Sequence, residues 1–313
     1  MVRTWFYLLL PLLLTQCKTD VYRPDHSHFV ADYSMDNLPV SDLFQGPADM
    51  GLLSNIQIDE ASGMVISRQA SSLFWTHNDS GDSNRIFLVA TDGTWKGTYR
   101  IQGTVNRDWE DIAMGPGPEP NVNYLYVGEI GDNRAQHAIK RIYRFPEPDV
   151  SLAQGQPQDI LVTGAETIAF VYPDQKLMDA ETLMIDPWNG DIYIVTKREM
   201  PVTVYRLPFP QATGDTLVAE KYGTLPFTWA VAGDISPDGR EILIKTYDQV
   251  FLWTRAEGER MRDAFLRPPH RLHYVPEPQG EAIAFATDGS GYFTVSEVRH
   301  GVMPRVYFYK RNP

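Results

Sequence analysis

Apolar residues in this chain come in runs of three to six, and turn residues punctuate them. Apolar-polar alternation and β-branched or aromatic content mark the runs as strands, while Asn189-Gly190, Pro237-Asp238-Gly239 and Asp288-Gly289-Ser290-Gly291 mark turns. Three columns recur down the chain. The first is a carboxylate opening a short apolar strand, at Glu60, Glu110, Glu181, Asp234 and Glu281. The second is an apolar strand ending in a small and then a polar residue: Thr76-His77, Gly128-Glu129, Thr196-Lys197, Thr246-Tyr247, Ser296-Glu297. The third is a strand centred on an aromatic, at Phe87, Tyr143, Tyr205, Phe251 and Tyr307.

The carboxylates are spaced by 50, 71, 53 and 47 residues, the long step holding the Pro/Gly/Gln stretch Glu147 to Pro157. Fourth strands fit at Gly97 to Ile101, Thr167 to Tyr172, Leu217 to Tyr222 and Arg271 to Val275. Four strands per unit of about 50 residues is the arithmetic of a propeller blade. Five units are present, and the last ends after three strands. Its fourth is expected from Leu52 to Ile58, because closing the ring from the opposite terminus removes two sheet edges. The fold class is therefore all-β, a five-bladed β-propeller over residues 49–313. The alternative, a β-sandwich, does not account for three columns held in register over five units.

The N-terminus follows a different pattern. Arg3 precedes the apolar run Trp5 to Leu14, which is too short to span a bilayer and right for a signal-peptide core. Leu14-Thr15-Gln16-Cys17 resembles a bacterial lipobox, with Gln16 in place of the usual small residue. Residues 1–17 are thus expected to be a lipoprotein signal peptide with acylation (palmitate) at Cys17, the only cysteine. Residues 18–48 read as a polar tether. The expected location is the cell envelope, lipid-anchored and extracytoplasmic. Lys18 after the cysteine does not mark inner-membrane retention, so the expectation leans to the outer membrane. The alternative is a plain secretory signal with an incidental cysteine.

Composition narrows the function. The chain has 28 Lys and Arg against 40 Asp and Glu, a net charge of −12 with no basic block, which argues against nucleic-acid partners. The single cysteine excludes intrachain disulfides and Cys-based metal sites. Elbow, zincin and Walker motifs are missing from the sequence. A monomer is expected.

In a propeller the first strand lines the channel and starts on the face where the second ends, so the first two columns converge at one mouth. Expected there are Glu60, Glu110, Glu181, Asp234 and Glu281 as a ring, with His77, Glu129, Lys197, Tyr247 and Glu297 beside them. The following loops add Asn78, Asp79, Asp82, Asp132, Asn133, Arg134 and Arg198. Carboxylates crowded in a channel repel one another. Backbone N–H donors, partial protonation or a cation would relieve them. A purely structural role, each acid pinning its blade to the next, is open for any single member. For the set a cation is expected, and all-oxygen ligands favour Ca²⁺. The functional readings are a Ca²⁺-dependent hydrolase of a phosphoester or related small anion, a non-catalytic platform for a protein or glycan, and a glycan-cleaving enzyme. In the first, Glu110 or Glu60 holds metal, His77 or a carboxylate acts on water, and Lys197 or Arg198 holds the anion.

Ala61-Ser62-Gly63, Trp75 to Asp82, Asp108-Trp109-Glu110-Asp111-Ile112, Tyr126 to Asn133 and Asp179-Ala180-Glu181 together resemble secreted bacterial β-propeller proteins, similar in blade style to phytase-like and esterase-like propellers. Trp109-Glu110 followed by Leu125 to Gly128 is similar to five-bladed calcium-activated apyrases, a resemblance that implies the fold and a central calcium and carries no catalytic residue across.

Overall fold

The alternation that marks the strands also dictates what they do: each must bury its apolar face against a neighbouring sheet. In the computed structural model, which describes Met1 and residues 28–153 and 159–313, five small sheets ring an axis as a five-bladed β-propeller. The expected signal peptide and Cys17 lie outside the described residues. Among the described residues no helix is long and apolar enough to cross a membrane.

Blade 1 runs Ala61–Ile66, Leu73–Asn78, Arg85–Ala90 and Trp95–Ile101 from the axis outward. Blade 2 is Trp109–Pro116, Asn123–Glu129, Lys140–Pro146 and Glu166–Val171. Blade 3 is Ala180–Ile185, Ile192–Thr196, Val202–Leu207 and Glu220–Leu225. Blade 4 is Ala230–Ile235, Glu241–Thr246, Val250–Thr254 and the two-residue His270–Arg271. Blade 5 is Gly280–Phe285, Gly291–Ser296, Arg305–Lys310 and, from the other end of the chain, Ala48–Leu52. The apolar side chains fill five wedges, one between each pair of neighbouring blades.

Three strands differ in position from those expected. Ring closure comes from Ala48–Leu52, antiparallel to Arg305–Lys310, and not from residues 52–58. Those residues turn instead, with Ile58 N donating to Asn55 O at 3.0 Å, so that Leu53 and Ile58 drop into the wedge between blades 5 and 1. In blade 3 the fourth strand lies three residues further on than expected. Thr216–Val218 runs parallel to the outer strand of blade 2. In blade 4 a short helix, Met261–Phe265, takes up the chain before the fourth strand can extend.

Exposed edges are covered from elsewhere in the sequence. Asp159–Val162 adds to blade 1, Thr216–Val218 to blade 2 and Phe29–Val30 to blade 3, all in parallel. Such coverage removes edges that would otherwise template pairing between chains. The described part of the segment expected as a tether, residues 28–48, lies along the propeller. Phe29 fills the slot above Gly223, where a Cβ would collide with its ring. Phe44 is fully buried and packs edge-on against Tyr292, centroids 5.1 Å apart. The aromatics of a mostly polar stretch hold it down.

Candidate metal centre at the channel mouth

Every inner strand carries a β-bulge close to its mouth end. A bulge places two residues opposite one and re-aims the extra side chain. In blade 2 the extra residue falls between Trp109 and Asp111, in blade 3 between Ala180 and Thr182, and in blade 5 between Gly280 and Ala282. These extra residues are Glu110, Glu181 and Glu281. The same register puts Gly63 at the position in blade 1 and Val231 in blade 4. The five expected column members thus reduce to three on structural equivalence.

The other two sit elsewhere. Glu60 is exposed at the rim, its carboxyl pushed up by partial desolvation and by Asp59, Asp82 and Glu281. Asp234 lies three residues beyond the bulge. It accepts backbone N–H groups of Ile235 and Phe285, both at 2.8 Å, and so staples blade 4 to blade 5. Asp111 does the same between blades 2 and 3, accepting from Ile112 and Leu183 at 2.9 Å. The structural role left open in the sequence is filled by this second set of carboxylates.

Glu110, Glu181 and Glu281 are buried together. Asp108 and Asp179 join them, each two residues before a bulge Glu, and Asp79 enters from the loop after the second strand of blade 1. Asp79, Asp108 and Glu110 each present an oxygen, and these oxygens lie within 4.8 Å of one another. Glu110, Asp179 and Glu181 do the same. At an effective dielectric of about 20, each such pair repels by about 3 kcal/mol when ionised. Burial, then Glu181, Asp79 and Asp108, drive Glu110 well above the carboxylate range. Burial and then Glu281 do so for Glu181. Burial with Asp108 pushes Asp79 up to about 7. Oε1 of Glu110 and Oε2 of Glu181 are buried without a hydrogen-bond partner. Gly131 closes over this cluster. A Cβ there would collide with Glu110 Oε1 and lie 2.6 Å from Asp108 Oδ2, so only glycine leaves the space.

The far side of the mouth is neutralised internally. Lys197 Nζ donates to Glu181 Oε1 and stands 3.9 Å from Glu281 Oε1. Burial pulls this ammonium down, but Glu181 and Glu281 outweigh it and keep it charged. Tyr247 OH donates to Glu281, and Gln279 donates to the same oxygen at 3.2 Å. Glu297 is buried beside Glu281 and pushed up to about 10 by burial and that neighbour, so it holds a proton at neutral pH. Arg198 Nε donates to Asp179 Oδ2 at 2.6 Å, and the guanidinium also reaches Asn133.

Several expected members point away. His77 is fully buried, edge-on to Trp109 with centroids 5.7 Å apart, and its Nδ1 donates to the Asn78 carbonyl at 2.9 Å. Burial pushes its imidazole down to about 4, and nothing in its surroundings opens it to substrate. Asp82 binds Arg85 at 2.8 Å and Asn78 at 3.1 Å, which fixes its own loop. Glu129 turns to Arg141 at 3.1 Å and Tyr143 at 2.9 Å. Asp132 is buried against Lys140 at 3.2 Å and caps the N–H groups of Gln136 and His137. Arg134 is exposed on that loop, with no ion pair among the described residues.

Asp108, Asp179, Gly131 and Trp229 are members that column counting misses. The two aspartates have a legible signal: Asp-x-Glu occurs at equivalent places in blades 2 and 3. Trp229 has none. It is 43% exposed with φ +62°, a conformation a bulky residue rarely holds. Arg198 and Lys197 lie 5.3 and 6.0 Å from its ring.

No protein-family model matches this chain, and no curated protein matches its sequence. The propeller fold and the acidic clusters at its mouth rest on the geometry above.

Proposed function

We propose that the protein binds Ca²⁺ at the propeller mouth and uses it to hold a small anionic ligand of the phosphoester class for hydrolysis. One observation carries this reading: two buried carboxylate oxygens without partners, on Glu110 and Glu181, in a cluster too crowded to ionise unaided. The donors are all carboxylate oxygens from three blades, which fits a cation tolerant of irregular oxygen shells. Asp79, Asp108, Glu110, Asp179 and Glu181 would hold the ion. When bound, it supplies Lewis-acid polarisation of an anionic oxygen.

The chain's own residues have distinct tasks. Lys197 is committed to Glu181 and Glu281, so it shapes the field and does not grip substrate. Arg198 and Trp229 are the exposed groups beside the cluster, a guanidinium next to a ring, suited to an anion carried on a flat or cyclic body. Glu297 supplies a protonated carboxyl within the same mouth. The glycan-cleaving reading calls for one pair of carboxyl groups at a set separation, whereas the mouth gathers its acids in threes around a shared Glu110. An extracytoplasmic, lipid-anchored location belongs to this proposal and is supported by the sequence around Cys17.

Calorimetric titration of the purified protein with Ca²⁺, followed by p-nitrophenyl phosphate turnover with and without the ion, tests the reading. Binding and Ca²⁺-dependent turnover, both lost in Glu110→Gln, are expected. Binding without turnover of phosphoesters would leave the platform reading standing, and absence of binding would end the calcium argument.

A further inference from the structure

We propose that the mouth holds two divalent cations bridged by Glu110, an inference that rests on the calcium reading above. The two oxygen triads are distinct and share one residue. In one, Glu110 groups with Asp79 of blade 1 and Asp108 of blade 2, and in the other with Asp179 and Glu181 of blade 3. Glu110 is the residue a bridge requires: it comes from the bulge of the middle blade of the three, it is buried, and its Oε1 has no donor. The second triad has its own partnerless buried oxygen, Glu181 Oε2. Gly131 leaves the space between Glu110 Oε1 and Asp108 Oδ2 free of side chain.

Charge supports two ions over one. Asp79, Asp108, Glu110, Asp179, Glu181 and Glu281 carry six negative charges when ionised, and Lys197 and Arg198 return two. A single divalent ion leaves two charges uncompensated at the mouth, whereas two leave none. Lys197 occupies the place between Glu181 and Glu281, which confines both ions to the side formed by blades 1, 2 and 3. A pair of ions sharing a carboxylate is the arrangement that clamps both the attacking and the leaving oxygen in displacement at phosphorus, at a typical spacing of about 3.5–4 Å. The proposal therefore sharpens the substrate class to phosphoesters over carboxylic esters.

The test is stoichiometry. Calorimetry with CaCl₂, checked by elemental analysis after desalting, is expected to give two ions per chain. One ion per chain would overturn the bridge and leave the calcium reading intact, while none would overturn both. Asp108→Asn and Asp179→Asn are each expected to fall to one ion, and Glu110→Gln to lose at least tenfold in affinity at both positions. Tb³⁺ luminescence sensitised through Trp109, adjacent to Glu110, gives a second count. Asp79→Asn, at the partly exposed edge of the cluster, serves if a buried variant fails to fold. Retention of two ions in Asp79→Asn and Asp108→Asn alike would overturn the assignment.

Discussion

Lys197 is one positive charge set between two buried carboxylates, and its removal isolates what the acidic mouth needs. Lys197→Met leaves Glu181 and Glu281 without their internal cation. Breaking a buried pair in this way costs about 3–5 kcal/mol. Thermal unfolding in EDTA is expected to show that loss, and added Ca²⁺ is expected to recover more stability in the variant than in the wild type. An equal calcium response in both proteins would separate the lysine from the metal cluster. His77 illustrates the converse. Its position at the end of the second strand of blade 1 marks it as a mouth residue, but alternation along that strand sends the ring against Trp109. Its substitution by Asn is expected to leave the number of bound ions unchanged while lowering the unfolding midpoint.

At the scale of strands, the inner bulge decides which acids face the mouth and which become staples. Asp234 is pushed up to about 6 by burial, against an ordinary value of 3.8. An acid that holds its proton more tightly when folded favours the native state most at low pH. Its contribution is full below about pH 4 and is lost as pH rises through 6. The gap between the folded and the ordinary value corresponds to about 3 kcal/mol. Asp234→Asn removes the ionisation but keeps only one good acceptor for the amides of Ile235 and Phe285. Urea denaturation from pH 4 to 7 is expected to show the variant less stable at pH 4, with the gap to wild type narrowing as pH rises. A constant gap would mean that Asp234 does not titrate in this range.

The whole ring is closed by chain ends. Ala48–Leu52 completes blade 5, and Phe29 and Phe44 bind the segment before it to blades 3 and 5. Phe29→Ala empties a slot that Gly223 keeps open, an expected cost of about 3–5 kcal/mol by chemical denaturation. Deleting the chain through Leu52 exposes the last strand of blade 5 as an open edge and is expected to give an aggregating protein by light scattering. A monomeric, cooperatively folding product would show that the closing strand is dispensable.

Strand identity, blade count and closure from the opposite terminus were legible in the sequence. Each rests on local alternation and on a repeat whose period exceeds any accidental match. The concentration of carboxylates at inner-strand starts was legible for the same reason. What one repeat column cannot encode is a one-residue bulge. It shifts the facing side chain to Glu110, Glu181 and Glu281, leaves Gly63 and Val231 in the other two blades, and turns Asp234 into a staple. Tertiary packing also decided that Asp79, Asp108 and Asp179 gather around Glu110, that Lys197 neutralises the opposite side, and that His77 is sealed away. The physical reason is common to all of these. Alternation and repeat period are properties of the chain with its near neighbours. The distance between oxygens on three blades depends on how the ring closes.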